Sequence, residues 1–270
     1  MIEHTALAAG PDGERYCTVA FPGAAAGPPA VRAGITLLAA GDMGLSSRHG
    51  DPSHAAFLAA IGVEQARARA VRQVHSRTVL AVDGEPAEAL AALEADGMVT
   101  TRPELLLTVT VADCLPVFLL DTATGAFGLV HSGWKGTGIV VDALHMMAAR
   151  FGTRASDTTA AIGPGIGPCC YEVPRERCEA FRERFGPAAV RDGRCLDLRL
   201  ANVSLLEAEG VGSISVVGEC TCCSPRLGSF RRQGAAGFTR MLAFIGRWPG
   251  REAPCSPSPG RGPRSIMGSS

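Results

Sequence analysis

The chain has 270 residues, 46% of them hydrophobic and 19% charged, so it is long and apolar enough to bury a substantial core and too apolar to be disordered as a whole. Its 26 basic and 26 acidic residues cancel to a net charge of zero, which gives no reason to expect a nucleic-acid partner. No apolar run reaches the roughly 18 residues of a membrane span, and Met-Ile-Glu-His-Thr lacks a basic region followed by an apolar core, so a secretory signal is not expected. The expectation is a cytoplasmic protein whose ten cysteines are thiols or ligands rather than disulfides.

In chain order, residues 1–30 read as a loosely ordered, Gly/Ala/Pro-rich entry with one strand near Cys17–Phe21. Ser53 is placed as the cap of a short helix carrying Phe57, Leu58 and Ile61. A strand is predicted over Val71–Val82, a helix over Ala87–Leu93, and strands over Leu105–Val111, Val117–Leu120 and Ala126–Val130. Thr137–Phe151 puts Ile139, Val140, Ala143, Leu144 and Met147 on one helical face, with Gly152 ending it. Further on come a strand at Thr158–Ile162, helices near Pro174–Phe185 and Leu198–Glu209, and strands at Ser213–Val217 and Met241–Ile245. The Pro/Gly/Ser/Arg-rich tail, 248–270, is expected to be disordered, leaving 1–247 as one catalytic domain. Strands and helices do not alternate strictly, which predicts an α+β fold: a single compact domain with mixed and antiparallel sheets flanked by helices.

Chemistry concentrates around one predicted hairpin. Asp121-Thr122-Ala123-Thr124-Gly125 is a turn between two apolar runs. Pairing Leu120 with Ala126 or a near neighbour brings Cys114 within about one residue of His131, so a separation of 17 in sequence becomes adjacency in space. If Arg72-Gln73-Val74-His75 is a strand, Gln73 and His75 share a face, and a second imidazole is available. Two imidazoles and a thiolate with a fourth position open are the donors of a catalytic zinc. A metal-free Cys–His nucleophile pair fits the same residues, as does an inert buried cysteine beside a core histidine.

Several blocks then occur in order: Gln73-Val74-His75, Ala95-Asp96-Gly97, Val111-Ala112-Asp113-Cys114-Leu115-Pro116-Val117 and His131-Ser132-Gly133-Trp134-Lys135-Gly136-Thr137. Ile162 to Val173, with Gly-Pro-Cys-Cys-Tyr inside it, Asp197-Leu198 with Asn202, Cys220-Thr221 and Ser229-Phe230-Arg231-Arg232-Gln233-Gly234 complete the series. Across about residues 70 to 240 the chain resembles the polyphenol-oxidase-like, laccase-domain family of bacterial proteins. The resemblance implies a compact α+β fold similar to the catalytic domain of cytotoxic necrotizing factor toxins. It implies zinc, with copper as the other candidate, at His75, Cys114 and His131. It further implies phosphorolysis of adenosine, inosine or methylthioadenosine, and deamination of adenosine, so the partners are a purine nucleoside and phosphate. Copper-dependent phenol oxidation and a metal-free Cys–His hydrolase or amidase linked to cell-wall quality control are the alternatives. Six histidines in the whole chain are too few for a multicopper arrangement.

On this reading His75, Cys114, His131 and Asp113 form the catalytic group, with Asp113 either carrying a proton or orienting a ligand. Gln73, Lys135, Arg231 and Arg232 contact substrate, the three cations forming an anion site with the backbone N–H groups of Gly133–Thr137. Lys135 stands where the family usually has arginine, Phe230 where Tyr or His is frequent, and Gly237-Phe238 where Gly-Arg is expected. The Gly163–Pro168 loop reads either as a ligand wrap or as a rigid turn. Cys169-Cys170 and Cys220, Cys222 and Cys223 are two further clusters, but a second metal site is not expected from them, for want of a C-x-x-C pair with a partner at zinc-finger spacing.

Overall fold

The computed structural model describes residues 2–9, 15–21, 30–44 and 53–248. Of the expected tail, residues 249–270 lie outside the described residues, while Trp248 is buried against Phe244 and belongs with the domain. The chain opens with β1 (Ile2–Thr5), β2 (Ala8–Ala9), β3 (Tyr16–Val19) and β4 (Arg32–Thr36). After α1 (Ser53–Ala60) come β5 (Ala68–Arg69), β6 (Val79–Ala81), α2 (Ala87–Ala91), β7 (Gly97–Thr100) and β8 (Leu106–Val111). The middle holds β9 (Leu115–Asp121), β10 (Phe127–Ser132), α3 (Ile139–Phe151) and β11 (Thr158–Ile162). α4 (Arg175–Phe185), β12 (Val190–Arg191), β13 (Cys195–Leu196), α5 (Leu198–Ala208), β14 (Ser213–Val217), α6 (Phe230–Gln233) and β15 (Met241–Gly246) follow.

Two sheets carry the molecule. One has seven strands in the order β1-β14-β11-β9-β10-β7-β6, the other six in the order β2-β3-β4-β15-β8-β5. Parallel and antiparallel pairs are mixed in both, and helices flank them, so the α+β expectation holds. The strands in the middle of the stack read as unbroken apolar runs because both faces are covered, yet their side chains still part with period two. In β9, Leu115, Val117 and Leu119 point to the layer shared with α3 and α5, whereas Phe118 and Leu120 point to the layer between the sheets. In β15, Met241, Ala243 and Ile245 enter that inter-sheet layer, and Leu242 and Phe244 face α1, where Phe57 and Leu58 meet them. The apolar face predicted for α3 is buried in full, and Gly152, at φ 69°, ends the helix in the left-handed conformation that a glycine adopts without strain.

Three expectations need correction. Ser53 does not cap α1; it is the first helical residue. Val71–Val82 is not one strand: only Val79–Ala81 pairs in the seven-stranded sheet, and residues 73–78 form a loop. The N-terminal stretch holds β1 and β2 as well as β3, since Ile2–Thr5 adds in parallel to β14 and Ala8–Ala9 pairs with β3. The short, exposed sequence of β1 has no alternation that would mark it as a strand. Among the described residues no helix is long and apolar enough to cross a membrane.

Candidate metal centre

The site lies where the two sheets exchange strands. The chain leaves the six-stranded sheet at Val111 and enters the seven-stranded sheet at Leu115. Between them Asp113 takes φ 87°, an uncommon conformation for a residue with a side chain, and presents Cys114 at the crossover. The loop carrying His75 makes the same passage, from β5 to β6, and His75 itself has φ 61°. Positive φ in non-glycine residues gathers at functional sites because surrounding contacts must hold it there. Among the described residues only Asp192 shares it outside this site.

The hairpin pairs Leu120 with Phe127, a neighbour of Ala126 as expected, and Pro116 with His131. In the turn Gly125, at φ 76°, follows an Asp121 side chain that accepts from Ala123 and Thr124. Extending the ladder sets Cys114 opposite Gly133, so Cys114 and His131 are diagonal neighbours on one face. A Cβ on Gly133 would stand 2.7 Å from Cys114 Sγ, so glycine is needed for the sulfur to reach inward. The donor atoms of His75, Cys114 and His131 then lie within 4.8 Å of one another, and the two imidazole rings stand 4.9 Å apart at 73°.

Asp96, fully buried just before β7, organises this group, and the sequence reading gave it no role. Its carboxylate accepts from the backbone N–H groups of Val74, His75 and Ser76, from Ser76 Oγ, and from His131 Nδ1 at 2.8 Å. That replaces the ladder partners the 73–78 segment lacks, and is why the predicted strand is a loop. Burial works against its charge, but the hydrogen bonds from His131 and Ser76 prevail and hold the carboxyl down to about 2, so it is an acceptor only. His131 Nδ1 must therefore carry the proton, and Nε2 is the nitrogen left for a metal. The sequence signal for Asp96 was its place in the Ala95-Asp96-Gly97 block, directly before the strand Gly97–Thr100.

In the chain without a metal, Cys114 and His131 support one another's charge. Burial raises the thiol's pKa, yet the His131 charge and hydrogen bonds from both imidazoles bring it down to about 6. Burial lowers that of His131, yet the Cys114 thiolate and Asp96 lift it to about 9. Two imidazoles and one low-pKa thiol form a donor set that fits a soft or borderline divalent metal.

The remaining predicted residues divide. Asp113 has both oxygens engaged, one by Thr221 Oγ1 at 2.6 Å and one by the Arg231 N–H at 2.7 Å, which makes it a positioning residue. Gln73 spends its amide on Thr110 of β8, donating to its carbonyl and accepting from its N–H and hydroxyl, and so stitches the His75 loop to the other sheet. Arg232 donates to the carbonyls of Thr221, Cys222, Ser224 and Leu227; its guanidinium is a loop clasp and not the anion contact expected. Arg231 reaches the carbonyls of Cys170 and Glu172 while lying over the Tyr171 ring, and stays exposed. Lys135 is exposed, 5.7 Å from the Trp134 ring, which Arg177 covers at 4.2 Å. The Gly163–Pro168 loop is a rigid brace: Gly163 and Ile166 donate to the carbonyls of Pro116 and Asp113, and a Cβ on Gly165 would meet Leu115 at 2.5 Å. His145 faces solvent beside Glu209.

Residues 46–248 match the family model described as multi-copper polyphenol oxidoreductase laccase. The chain belongs to that family. It is 35% identical over 213 residues to the purine nucleoside phosphorylase of Deinococcus radiodurans, covering 76% of this chain and 81% of that one. It is 37% identical over 163 residues to purine nucleoside phosphorylase YlmD of Geobacillus stearothermophilus, where the match covers 56% of this chain and 60% of the relative. The match to the human purine nucleoside phosphorylase LACC1 spans 37% of that protein. The crystal structure of YlmD from Geobacillus stearothermophilus superposes with a TM-score of 0.76 at 28% identity, over 87% of this chain and 97% of that one. Despite the family's descriptive name, no potential metal group among the described residues gathers more than two histidines.

Proposed function

We propose that the chain is a purine nucleoside phosphorylase working with one zinc held by His75, Cys114 and His131, and that the same centre deaminates adenosine. The observation that carries this reading is the meeting of those three donors around the Asp96 carboxylate, in a family whose relatives bear the phosphorylase name. The donor set fits zinc and leaves a fourth position. When bound there, zinc supplies Lewis acidity for an oxygen of water or substrate.

In phosphorolysis a phosphate oxygen bonds to the anomeric carbon as the carbon–nitrogen bond to the base breaks. The base leaves with a proton, giving ribose 1-phosphate and free purine. In deamination water adds at C6 of adenine and ammonia departs, giving inosine. Lys135 and the exposed Arg231 supply positive charge for phosphate. Phe230, 48% exposed and packed edge-on to Phe238, offers an apolar face to a purine ring. Tyr171, pushed up to about 12 by burial and the Cys114 charge, keeps its hydroxyl proton available as a donor. Asp96 fixes His131 and Asp113 fixes the Arg231 backbone, so the donors stay in place between turnovers.

The test is metal analysis of protein purified without chelator, followed by incubation with adenosine or inosine, with and without phosphate. Zinc together with phosphate-dependent release of adenine or hypoxanthine is the expected result; inosine formed from adenosine without phosphate is the deaminase product. Copper in the protein, with oxygen consumed on a phenol and nucleosides untouched, would overturn the proposal.

A second reading rests on the thiolate–imidazolium pair of the metal-free chain: a Cys–His hydrolase. It requires that chelator-treated protein stay active and lose that activity when Cys114 is alkylated.

A further inference from the structure

Just after the Gly163–Pro168 loop lies a second group of donors. Cys169 and Cys170 follow that loop, and Cys220 and Cys223 form a C-x-x-C pair in the loop after β14. About fifty residues separate the two pairs, yet all four sulfurs lie within 4.8 Å of one another. Cys223 Sγ is 3.8 Å from Cys169 Sγ and 3.4 Å from Cys170 Sγ. Sulfurs at the corners of a tetrahedron around zinc, each about 2.3 Å from the metal, stand about 3.8 Å apart.

Two further features suit a cation bound by thiolates. The backbone N–H of Gly167 donates to Cys220 Sγ at 3.2 Å. The Arg199 guanidinium stands beside the group and offsets its negative charge; it donates to the carbonyls of Gly165 and Glu219, and its Nε is buried without a partner. Cys222 lies outside the foursome and packs against the core.

We propose that Cys169, Cys170, Cys220 and Cys223 form a structural zinc site, closed by four thiolates and distinct from the His75–Cys114–His131 centre. Four thiols lose their protons to solvent as zinc binds, and no electron is transferred. All four ligand positions are filled, so the site has no place for substrate and acts as a clip. The clip fastens the loop bearing Tyr171 to the loop bearing Thr221, which holds Asp113 through its hydroxyl. A backbone bridge between Gly165 and Cys220 and the Gly167 N–H bond to Cys220 Sγ tie the same two loops. This assignment does not depend on the activity proposed above.

The experiment starts from the His75→Ala, Cys114→Ala, His131→Ala chain, expressed with zinc and purified under reducing conditions without chelator. It is expected to keep one zinc per chain, and X-ray absorption at the zinc edge should show four sulfur neighbours at about 2.3 Å. Adding Cys220→Ser and Cys223→Ser should remove that zinc. The unmutated chain, measured in parallel, guards against misfolding of the variants: with both sites filled it should hold two zincs averaging between two and three sulfurs each. A triple variant that folds but holds no zinc would overturn the proposal. So would zinc bound there by nitrogen or oxygen, or a Cys170–Cys223 disulfide in unmutated protein handled under reducing conditions.

Discussion

The two donor groups are built on opposite plans. His75, Cys114 and His131 hang from strand ends and sheet crossovers, and a buried carboxylate reaches behind them to set one ring and one loop. The four cysteines hang from two loops and are steadied by backbone N–H groups. The first group mixes nitrogen and sulfur and leaves room for a reacting molecule; the second is all sulfur and closes on itself. A reactive centre needs donors whose angles are held by rigid elements, whereas a clip needs only sulfurs that can meet.

The contrast is tested most severely at Cys114. Cys114→Ala should lower nucleoside turnover by on the order of 10³-fold or more while the far-UV spectrum stays unchanged, because it removes a proposed ligand and not a core residue. Asp96→Asn comes next, with metal affinity or turnover down about 10- to 100-fold, read by zinc competition and initial rates. An unaltered zinc affinity and rate would mean that His131 does not depend on its carboxylate. Phe230→Ala should raise KM for nucleoside about tenfold with little change in kcat, on the order of 1.4 kcal/mol of lost base contact. A changed kcat with the same KM would place Phe230 in the chemistry and not in binding.

Acidity provides a further comparison, in metal-free protein. Asp96 is held at about 2 against an ordinary 3.8, so it stabilises the fold at pH values above its unfolded pKa. That share, about 2 kcal/mol, is lost as pH falls through 3.8 towards 2, and urea midpoints across this window should record it. Asp96→Asn should flatten that part of the profile. Thr221→Val, which removes the hydroxyl donor to Asp113, should cost about 1.5 to 3 kcal/mol in the same assay, with the zinc content of the His75–Cys114–His131 centre intact.

How much was legible in the sequence follows the physics of each element. The α3 face, the β9–β10 hairpin and the meeting of Cys114 with His131 could be read because period and turn residues are local signals. The register could be read only to within a neighbour of Ala126, because the turn's length depends on the positive φ of Gly125 and the Asp121 side-chain bonds. The strand expected around His75 failed because its backbone bonds go to Asp96, some twenty residues away, and no local pattern announces a side chain that replaces a ladder. Arg232 looked like a phosphate contact, but its carbonyl partners come from a loop whose path only the fold sets. The C-x-x-C at Cys220 and Cys223 went unpartnered for a similar reason: its companions follow β11, and they meet it only once β11 and β14 are paired.

The placement of His75, Cys114 and His131 along the chain also implies an order of assembly. Cys114 and His131 come together through one hairpin, which closes in microseconds. His75 joins only when β7 has docked on β10 and Asp96 has found both its loop and its ring. A nascent chain therefore offers a thiol and one imidazole early and the second imidazole late, so a metal captured during synthesis would be held first by two donors, and full affinity would arrive with the last long-range contact.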